Sequence, residues 1–499
     1  MAWDDLLTIA PLIAAVLAAI AVILVDLALP GRTRPALAVS LLGLAGVLAL
    51  VLLIGLRAGD GAIELAAPTE AFAGAYTVDP LTTFLDVLFV LVVGMTILVA
   101  PDYLGPRDLP FAEFAAILLF AMSGAMLIAA STDLLLLFLG LELMVIPGYL
   151  LAGFAKRDAL STEGAIKYFL LGSFSSAILL FGLAFVFGTT GTTRVDEIAA
   201  ALADLVASGS ISAGLIMGLA LVTAGVGFKI AAVPFHYWTP DAYQGSPTPV
   251  TGYLSVGPKI GAFALILRLF VEALGPLSGE WVVMIAILAA VTMTLGNLVA
   301  LSQDNVKRML AYSSIAHTGY MLVGLAAYAA GEIQGLQGLI YYGAAYAFMN
   351  LGAFAVVAAL QKRQGILSNL ETFAGLGRRE PLLAVLMTLF LLSLTGIPPT
   401  AGFFAKALVI LSAVQAGGPM TILAVIAVLN AAAAAFYYLR VVVYMFMREA
   451  TTEVEPFRHG RLLRVGLVIA LVGTVLLGVL PNWPIPILDA ALAAAEAIG

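Results

Sequence analysis

Four charged residues stand where their neighbours leave them no water. Lys229 in AGVGFKIAAVPFHYW, Lys259 just after GSPTPVTGYLSVGP and Lys406 in LTGIPPTAGFFAKALV each lie inside a long apolar run. Glu142, in LLLLFLGLELMVIPGYLL, is the one carboxylate deep in such a run. A charge at the centre of a membrane helix costs roughly 2.5–3.5 kcal/mol on insertion scales, so such groups face an interior polar path. One Lys–Glu pair could be a neutralised bridge locking helices together, but three lysines against one glutamate cannot all be held that way. The excess favours groups that take up and release protons, because burial and like-charged neighbours both destabilise an ammonium ion.

Weaker candidates have bland readings beside the functional ones. His236, in PFHYW, is explained by an interfacial aromatic belt as well as by a proton exit. His317, in YSSIAHTGYM, divides between a satisfied core hydrogen bond and a relay. Glu163 and Lys167, four apart at the start of a span, read first as a local helix pair. Asp133 and Asp86 lie near span ends and read as solvated or capping groups. No Walker loop, dinucleotide fingerprint or paired histidines suited to haem or metal are present. The energy for transport must therefore come from outside the chain.

The elements that position these groups follow from composition. With 62% hydrophobic and 11% charged residues over 499 positions, and a mean hydropathy of +1.09, the chain is far too apolar for a soluble protein. Only helices satisfy an open chain's backbone across roughly 30 Å of hydrocarbon, so the expected fold class is an all-α polytopic membrane protein. Runs and breakers place spans near 6–29, 36–57, 80–100, 111–130, 132–154, 163–188, 211–239, 248–273, 281–301, 306–328, 333–360, 381–415, 420–447 and 463–480. The first follows Met-Ala-Trp-Asp-Asp, which lacks a basic signal region, and is read as a retained helix. Residues 192–210 form a polar loop with a short amphipathic turn of helix.

Charge tests this count independently, because lysine and arginine collect on the cytoplasmic side. Arg32, Arg34, Arg107, Lys156, Arg157, Lys307, Arg308, Lys362, Arg363, Arg378, Arg379, Arg448, Arg458, Arg461 and Arg464 fall in loops of one parity. The other holds little beyond Arg57 and Arg194, with Arg268 near a helix end. Both termini are then on the outer side of the membrane. The net charge of −7 says little about partners, and the absence of cysteine excludes disulfides, thiolate metal sites and iron–sulfur clusters built from this chain.

Two lysines sit beside breaks. Pro234 removes a helical donor below Lys229, and Gly396, Pro398, Pro399 and Gly402 precede Lys406, so helices seven and twelve should be discontinuous. Counting spans gives three N-terminal helices over 1–110, a five-helix unit over 111–273, a second over 281–447, and a last helix and tail over 448–499. The interrupted helix is the fourth member of each unit. An odd-numbered unit in tandem is inverted, and the same count sets Glu142 opposite His317. A row Glu142, Lys229, Lys259, Lys406 would then run between the units and suit proton transfer.

The stretches LELMVIPGYLL, EGAIKYFLLGSFSSAILLFGLAFVFGTTGT, GFKIAAVPFHYWTPDAYQGSPTPVTGYLSVGPK, DNVKRMLAYSSIAHTGY and GIPPTAGFFAK resemble the antiporter-like subunits of respiratory complex I, and the N branch of that family more than the M or L branches. The resemblance covers all the predicted spans. It implies a proton-translocating unit of the membrane arm, driven by NADH-to-quinone electron transfer in other subunits, where FMN, iron–sulfur clusters and quinone are housed. It implies subunits K and M as neighbours in the bilayer. By position, Glu142 matches the fifth-helix carboxylate, Lys229 and Lys406 the lysines of the broken helices, and Lys259 the central connecting lysine; Lys167 and His236 match further polar positions. Glu142 is expected to tune Lys229 by pairing with it, Lys259 to relay, and Lys406 to store or release the proton. The rival readings are a related cation/proton antiporter subunit, for which one carboxylate is poor provision of a sodium site, and a membrane scaffold in which the lysines are locked bridges.

Overall fold

The structure is a computed structural model that describes residues 3–58, 63–361, 368–450, 459–480, 493–496 and 498. Lys362, Arg363, Arg458 and most of the C-terminal tail lie outside the described residues. The N-terminal group is α1 (Trp3–Thr8), α2 (Ala10–Ala28), α3 (Thr33–Gly55) and α4 (Pro80–Leu104). Between α3 and α4 stand two antiparallel ribbons, β1 (Leu56–Ala58) with β2 (Ile63–Leu65) and β3 (Thr69–Ala71) with β4 (Tyr76–Val78). Next come α5 (Phe111–Ala130), α6 (Leu134–Ala152), α7 (Ala159–Thr190), α8 (Val195–Ala207), α9 (Ala213–Lys229), α10 (Trp238–Gly245) and α11 (Thr248–Ile266). The chain continues through α12 (Ser278–Leu301), α13 (Val306–Ala329), α14 (Gln334–Leu360), the single turns α15 (Leu370–Phe373) and α16 (Leu376–Arg379), α17 (Pro381–Thr395), α18 (Ala401–Ala416), α19 (Gly418–Met447) and α20 (Arg461–Val479).

Among the described residues eleven helices are long and apolar enough to cross a membrane unaided. The other three expected spans are the broken pair α9 and α10, the continuous but more polar α13, and the broken pair α17 and α18. Boundaries moved where capping chemistry was stronger than hydropathy: Asp158 accepts from Leu160 N at 2.9 Å and starts α7 four residues before its apolar run. The polar loop over 192–210 holds a thirteen-residue helix, α8, rather than a turn; it buries Val195, Ile198 and Leu202 against the far end of the α11 segment.

The first expected break is complete. α9 ends at Lys229, Ala231 takes φ 57°, and helix resumes only at Trp238. A left-handed alanine costs about 1–2 kcal/mol, so the surrounding packing imposes this turn. The second break runs from Gly396, at φ 91°, through Pro398 and Pro399 to Thr400. α11 is buried along its whole length between the two broken regions, whereas α2, α3, α7, α19 and α20 turn one face outward.

Candidate functional site

The three lysines of the expected row all end on neutral hydrogen-bond partners. Lys229 closes α9, and its Nζ donates to Ser176 Oγ at 2.7 Å and to the Gly172 carbonyl at 3.3 Å, both on α7. Lys259, on α11, donates to Ser314 Oγ at 2.6 Å and to the Ser314 carbonyl at 2.5 Å on α13. Lys406, on α18, donates to the carbonyls of Leu394 at 2.9 Å and Thr395 at 2.8 Å. Those carbonyls belong to the last turn of α17, whose acceptors are freed by the break at Gly396, so the ammonium group sits at the negative end of a half-helix. The three side chains are 6%, 2% and 5% exposed, which excludes bulk water as their partner.

Glu142 does not close the expected ion pair with Lys229. It is within electrostatic reach of that lysine, but the ammonium turns to α7, and Glu142 Oε1 is buried without a hydrogen-bond partner among the described residues. Tyr149, two turns further along α6, packs its hydroxyl against Gly172, whose carbonyl serves Lys229, and its ring meets Tyr168 edge-on at 4.6 Å.

His317 occupies the gap between Lys259 and Lys406. Its Nδ1 shares a 2.6 Å hydrogen bond with Tyr342 and its Nε2 a 3.2 Å one with Tyr438. Its ring lies 5.1 Å from that of Tyr346 and 6.0 Å from that of Tyr320. Lys259 Nζ sits 5.6 Å from the Tyr346 ring centre and Lys406 Nζ 4.7 Å from that of Tyr320. On the other side, Thr318 Oγ1 donates to the Ile230 carbonyl at 2.7 Å and to the Ser314 carbonyl at 3.3 Å, joining the turn after Lys229 to the residue that holds Lys259. A polar line thus runs from the α9 break through Ser314 and Lys259 to His317 and Lys406.

The remaining candidates lie off this line. Lys167 keeps its bridge to Glu163 at 2.6 Å and adds one to Asp241 at 2.7 Å, which Arg308 also holds at 2.7 Å. His236 is buried in the link between the half-helices and stacks on Tyr237 at 4.7 Å. Asp133 caps α6 through Leu135 N at 2.8 Å, as read from sequence. Asp86 does neither of the things expected of it: it is buried within α4 because its helix face turns inward, and it caps nothing. Lys307, counted as a loop residue, is buried where it donates to the carbonyls of Gln244 and Ser246 at the end of α10. The hydroxyls of Ser176, Ser314, Tyr342 and Tyr438 were missed; only the i, i+3 spacing of Ser314 and His317 in SSIAH gave a signal.

A helical bundle with two interrupted helices, each bringing a lysine to its break, and a third lysine between them, is the architecture of an ion translocator. The family model described as NADH:quinone oxidoreductase/Mrp antiporter, transmembrane region, matches residues 131–430. NADH-quinone oxidoreductase subunit N of Trichlorobacter lovleyi is 42% identical over 464 residues, covering 93% of this chain and 92% of that protein. A chain of respiratory complex I from Thermus thermophilus, solved with bound aureothin, superposes with a TM-score of 0.78 at 33% identity over 97% of this chain and 99% of its own. A chain of the Mrp complex from Dietzia shares the fold, with a TM-score of 0.76 at 21% identity, covering 100% of this chain and 98% of its own. The chain belongs to the NADH:quinone oxidoreductase/Mrp antiporter family, within its subunit N branch.

Proposed function

We propose that this chain is a proton-translocating subunit of the membrane arm of a bacterial respiratory complex I, and that Glu142, Lys229, Lys259 and Lys406 carry the proton. The observation that supports this most directly is that every hydrogen-bond acceptor of the three lysines is neutral. A scaffold lysine locked in a buried ion pair loses its partner's field when it gives up its proton, at a cost of about 3–5 kcal/mol for breaking such a pair. A lysine held by hydroxyls and carbonyls passes between ammonium and amine with its partners in place.

In this reading Glu142 acts on Lys229 through its field rather than by contact. A change in the charge of Glu142 alters the proton affinity of Lys229, and the proton moves towards Lys259 by way of the Thr318 and Ser314 hydroxyls and water. Tyr346, His317 and Tyr320 bridge the second interval, and Lys406 holds the proton at the carbonyl end of α17. In the division into two inverted repeats over 111–273 and 281–447, His317 takes in the second five-helix unit the place that Glu142 takes in the first. Lys167 and His236 belong to the approaches rather than to the row. FMN, iron–sulfur clusters and quinone act in other subunits, K and M flank this one, and the complex resides in the cytoplasmic membrane with both termini periplasmic.

The test is Lys229→Ala, with Glu142→Ala beside it, in the intact complex. NADH-driven proton uptake into inverted vesicles should be largely lost while a native gel shows the complex assembled. Unchanged uptake, or loss of assembly, would return both residues to a structural role.

A further inference from the structure

α11 does not end with the relay. Beyond Ile266 the helix that carries Lys259 continues to Ala273 in π-helical turns, a geometry that recurs at functional sites. These turns bring Arg268 and Glu272 to the membrane face opposite the basic loops. Arg268 is 2% exposed, and its guanidinium bonds Asp79 at 2.8 Å, Glu272 at 2.5 Å, the Ala129 carbonyl at 2.9 Å and Thr82 Oγ1 at 3.0 Å. Above it opens a cleft of about 580 Å3 whose walls include Asp79, Arg194, Asp196, Arg268, Glu272 and Tyr328. Bulk water therefore reaches a group of charges that is otherwise inside the bundle.

Asp86 lies seven residues inward from Asp79 on α4, on the same helix face. It is 3% exposed, its Oδ1 has no hydrogen-bond partner among the described residues, and it stands within electrostatic reach of Asp79 and Tyr76. Around this point stand three carboxyl groups, Asp79, Glu272 and Asp86, and one guanidinium, which pairs with Asp79 and Glu272. A carboxylate out of water is costly unless it is paired or takes up a proton, and Arg268 is already committed to the first two. Asp79 is the member fixed as an anion: burial opposes its charge, but Arg268 and Thr82 hold its carboxyl below the usual aspartate range. Asp86 and Glu272 remain as the groups that bind the proton the cluster requires. Lys259 and Arg268 are nine residues apart on one helix, or about 13.5 Å at 1.5 Å per residue.

We propose that Asp86 and Glu272, with Arg268 and Asp79, form a proton-exchange site through which the relay communicates with the compartment beyond this cleft. This rests on the relay reading above. A proton arriving from the Lys259 side converts the Asp86 carboxylate to the acid; it passes to the Glu272 carboxylate, regenerating Asp86, and leaves to water in the cleft. No electron moves, and Arg268 stays charged throughout.

Asp86→Asn and Glu272→Gln, each close in shape to the original, test this in the assembled complex in inverted vesicles. Lys229→Ala is measured beside them. The readout is proton translocation per NADH oxidised, with assembly followed on a native gel. Each variant should assemble and at least halve that ratio, and Asp86→Glu should restore it, which a merely structural role would not do. A normal ratio in both variants, with Lys229→Ala defective, overturns the exchange site and leaves the relay standing; a normal ratio in all three overturns the relay as well. If Asp86→Asn fails to assemble, Glu272→Gln decides, and failure of both to assemble makes the cluster a structural lock and sinks the proposal.

Discussion

Asp241 shows how this chain uses charge where water is available, in contrast to the neutral partners given to its buried lysines. It lies on α10 beyond the first break and receives Lys167 and Arg308, each at 2.7 Å, so that three helices meet on one carboxylate. Burial alone would favour its protonated form, but the hydrogen bonds and charges of Lys167 and Arg308 prevail and hold its carboxyl below the usual aspartate range. A carboxyl lowered in the folded state adds stability that is fully present above the unfolded value and is lost as pH falls through the folded one. Asp241→Asn should therefore lower the thermal midpoint of the purified complex at neutral pH, and the gap from wild type should close as the medium becomes acid. A gap that persists unchanged at low pH would mean the bridges contribute nothing through charge. Legibility differs among these residues for the same physical reason. Lys229, Lys259, Lys406 and Glu142 stood out because a charge inside an apolar run is costly wherever it points. Asp241, Arg268 and Asp86 lie near predicted span ends, where sequence does not distinguish a solvated charge from a buried one.

The two broken helices hold their lysines by different means. Lys229 is the last residue of a half-helix and reaches across to α7, whereas Lys406 sits in the second half-helix and reaches back to the carbonyls of the first. Proline and glycine positions announced both interruptions, but not this difference, because it depends on which neighbouring helix offers acceptors. The second break is pinned by close packing. A Cβ on Gly402 would overlap the Ser393 carbonyl, and one on Gly478 of α20 would overlap the Thr400 backbone. Tyr341 adds a 2.5 Å hydrogen bond to the Leu477 carbonyl that fixes α20 in place. Backbone atoms do not rotate away, so Gly402→Ala should separate α17 from α18 and cost about 1–3 kcal/mol, the range of overpacked sites. Gly343→Ala is the control: it stands in the helical α14 with open space around its Cβ position and should be neutral or stabilising by up to about 1 kcal/mol. Thermal unfolding of the two variants in the complex checks the contrast, and equal midpoints would show that the approach of α18 to α17 is not tight in the bilayer. Where Gly402→Ala still assembles, loss of proton uptake would follow from moving Lys406 off its carbonyls.

At the scale of the whole molecule, the direction of proton flow depends on which compartment the cleft faces. The structure sorts the chain into two ends. α4 runs from Asp79 to the 105–107 turn with Arg107, and Lys156, Arg157, Lys307 and Arg308 gather with Arg107 at one end. At the other end Asp5, near the N-terminus, accepts from Phe72 N at 3.3 Å, and Ile498, near the C-terminus, lines the same cleft as Asp79 and Arg194. Asp5 and Ile498 therefore share the face opposite the basic loops. The positive-inside rule assigns the basic end to the cytoplasm. The chain has no cysteine, so a single introduced thiol reports its own side. Ser210→Cys, in the exposed turn between α8 and α9, should react with a membrane-impermeant maleimide in right-side-out vesicles, and Arg157→Cys, in the exposed loop between α6 and α7, only in inverted ones. The reverse pattern would put the cleft of Asp86 and Glu272 on the cytoplasmic side and make it an uptake site. The expected pattern makes it the point of release, because a proton drawn in at the basic end and passed along the lysine row then has a hydrated group of carboxyls to leave from at the far end of the helix that carries Lys259.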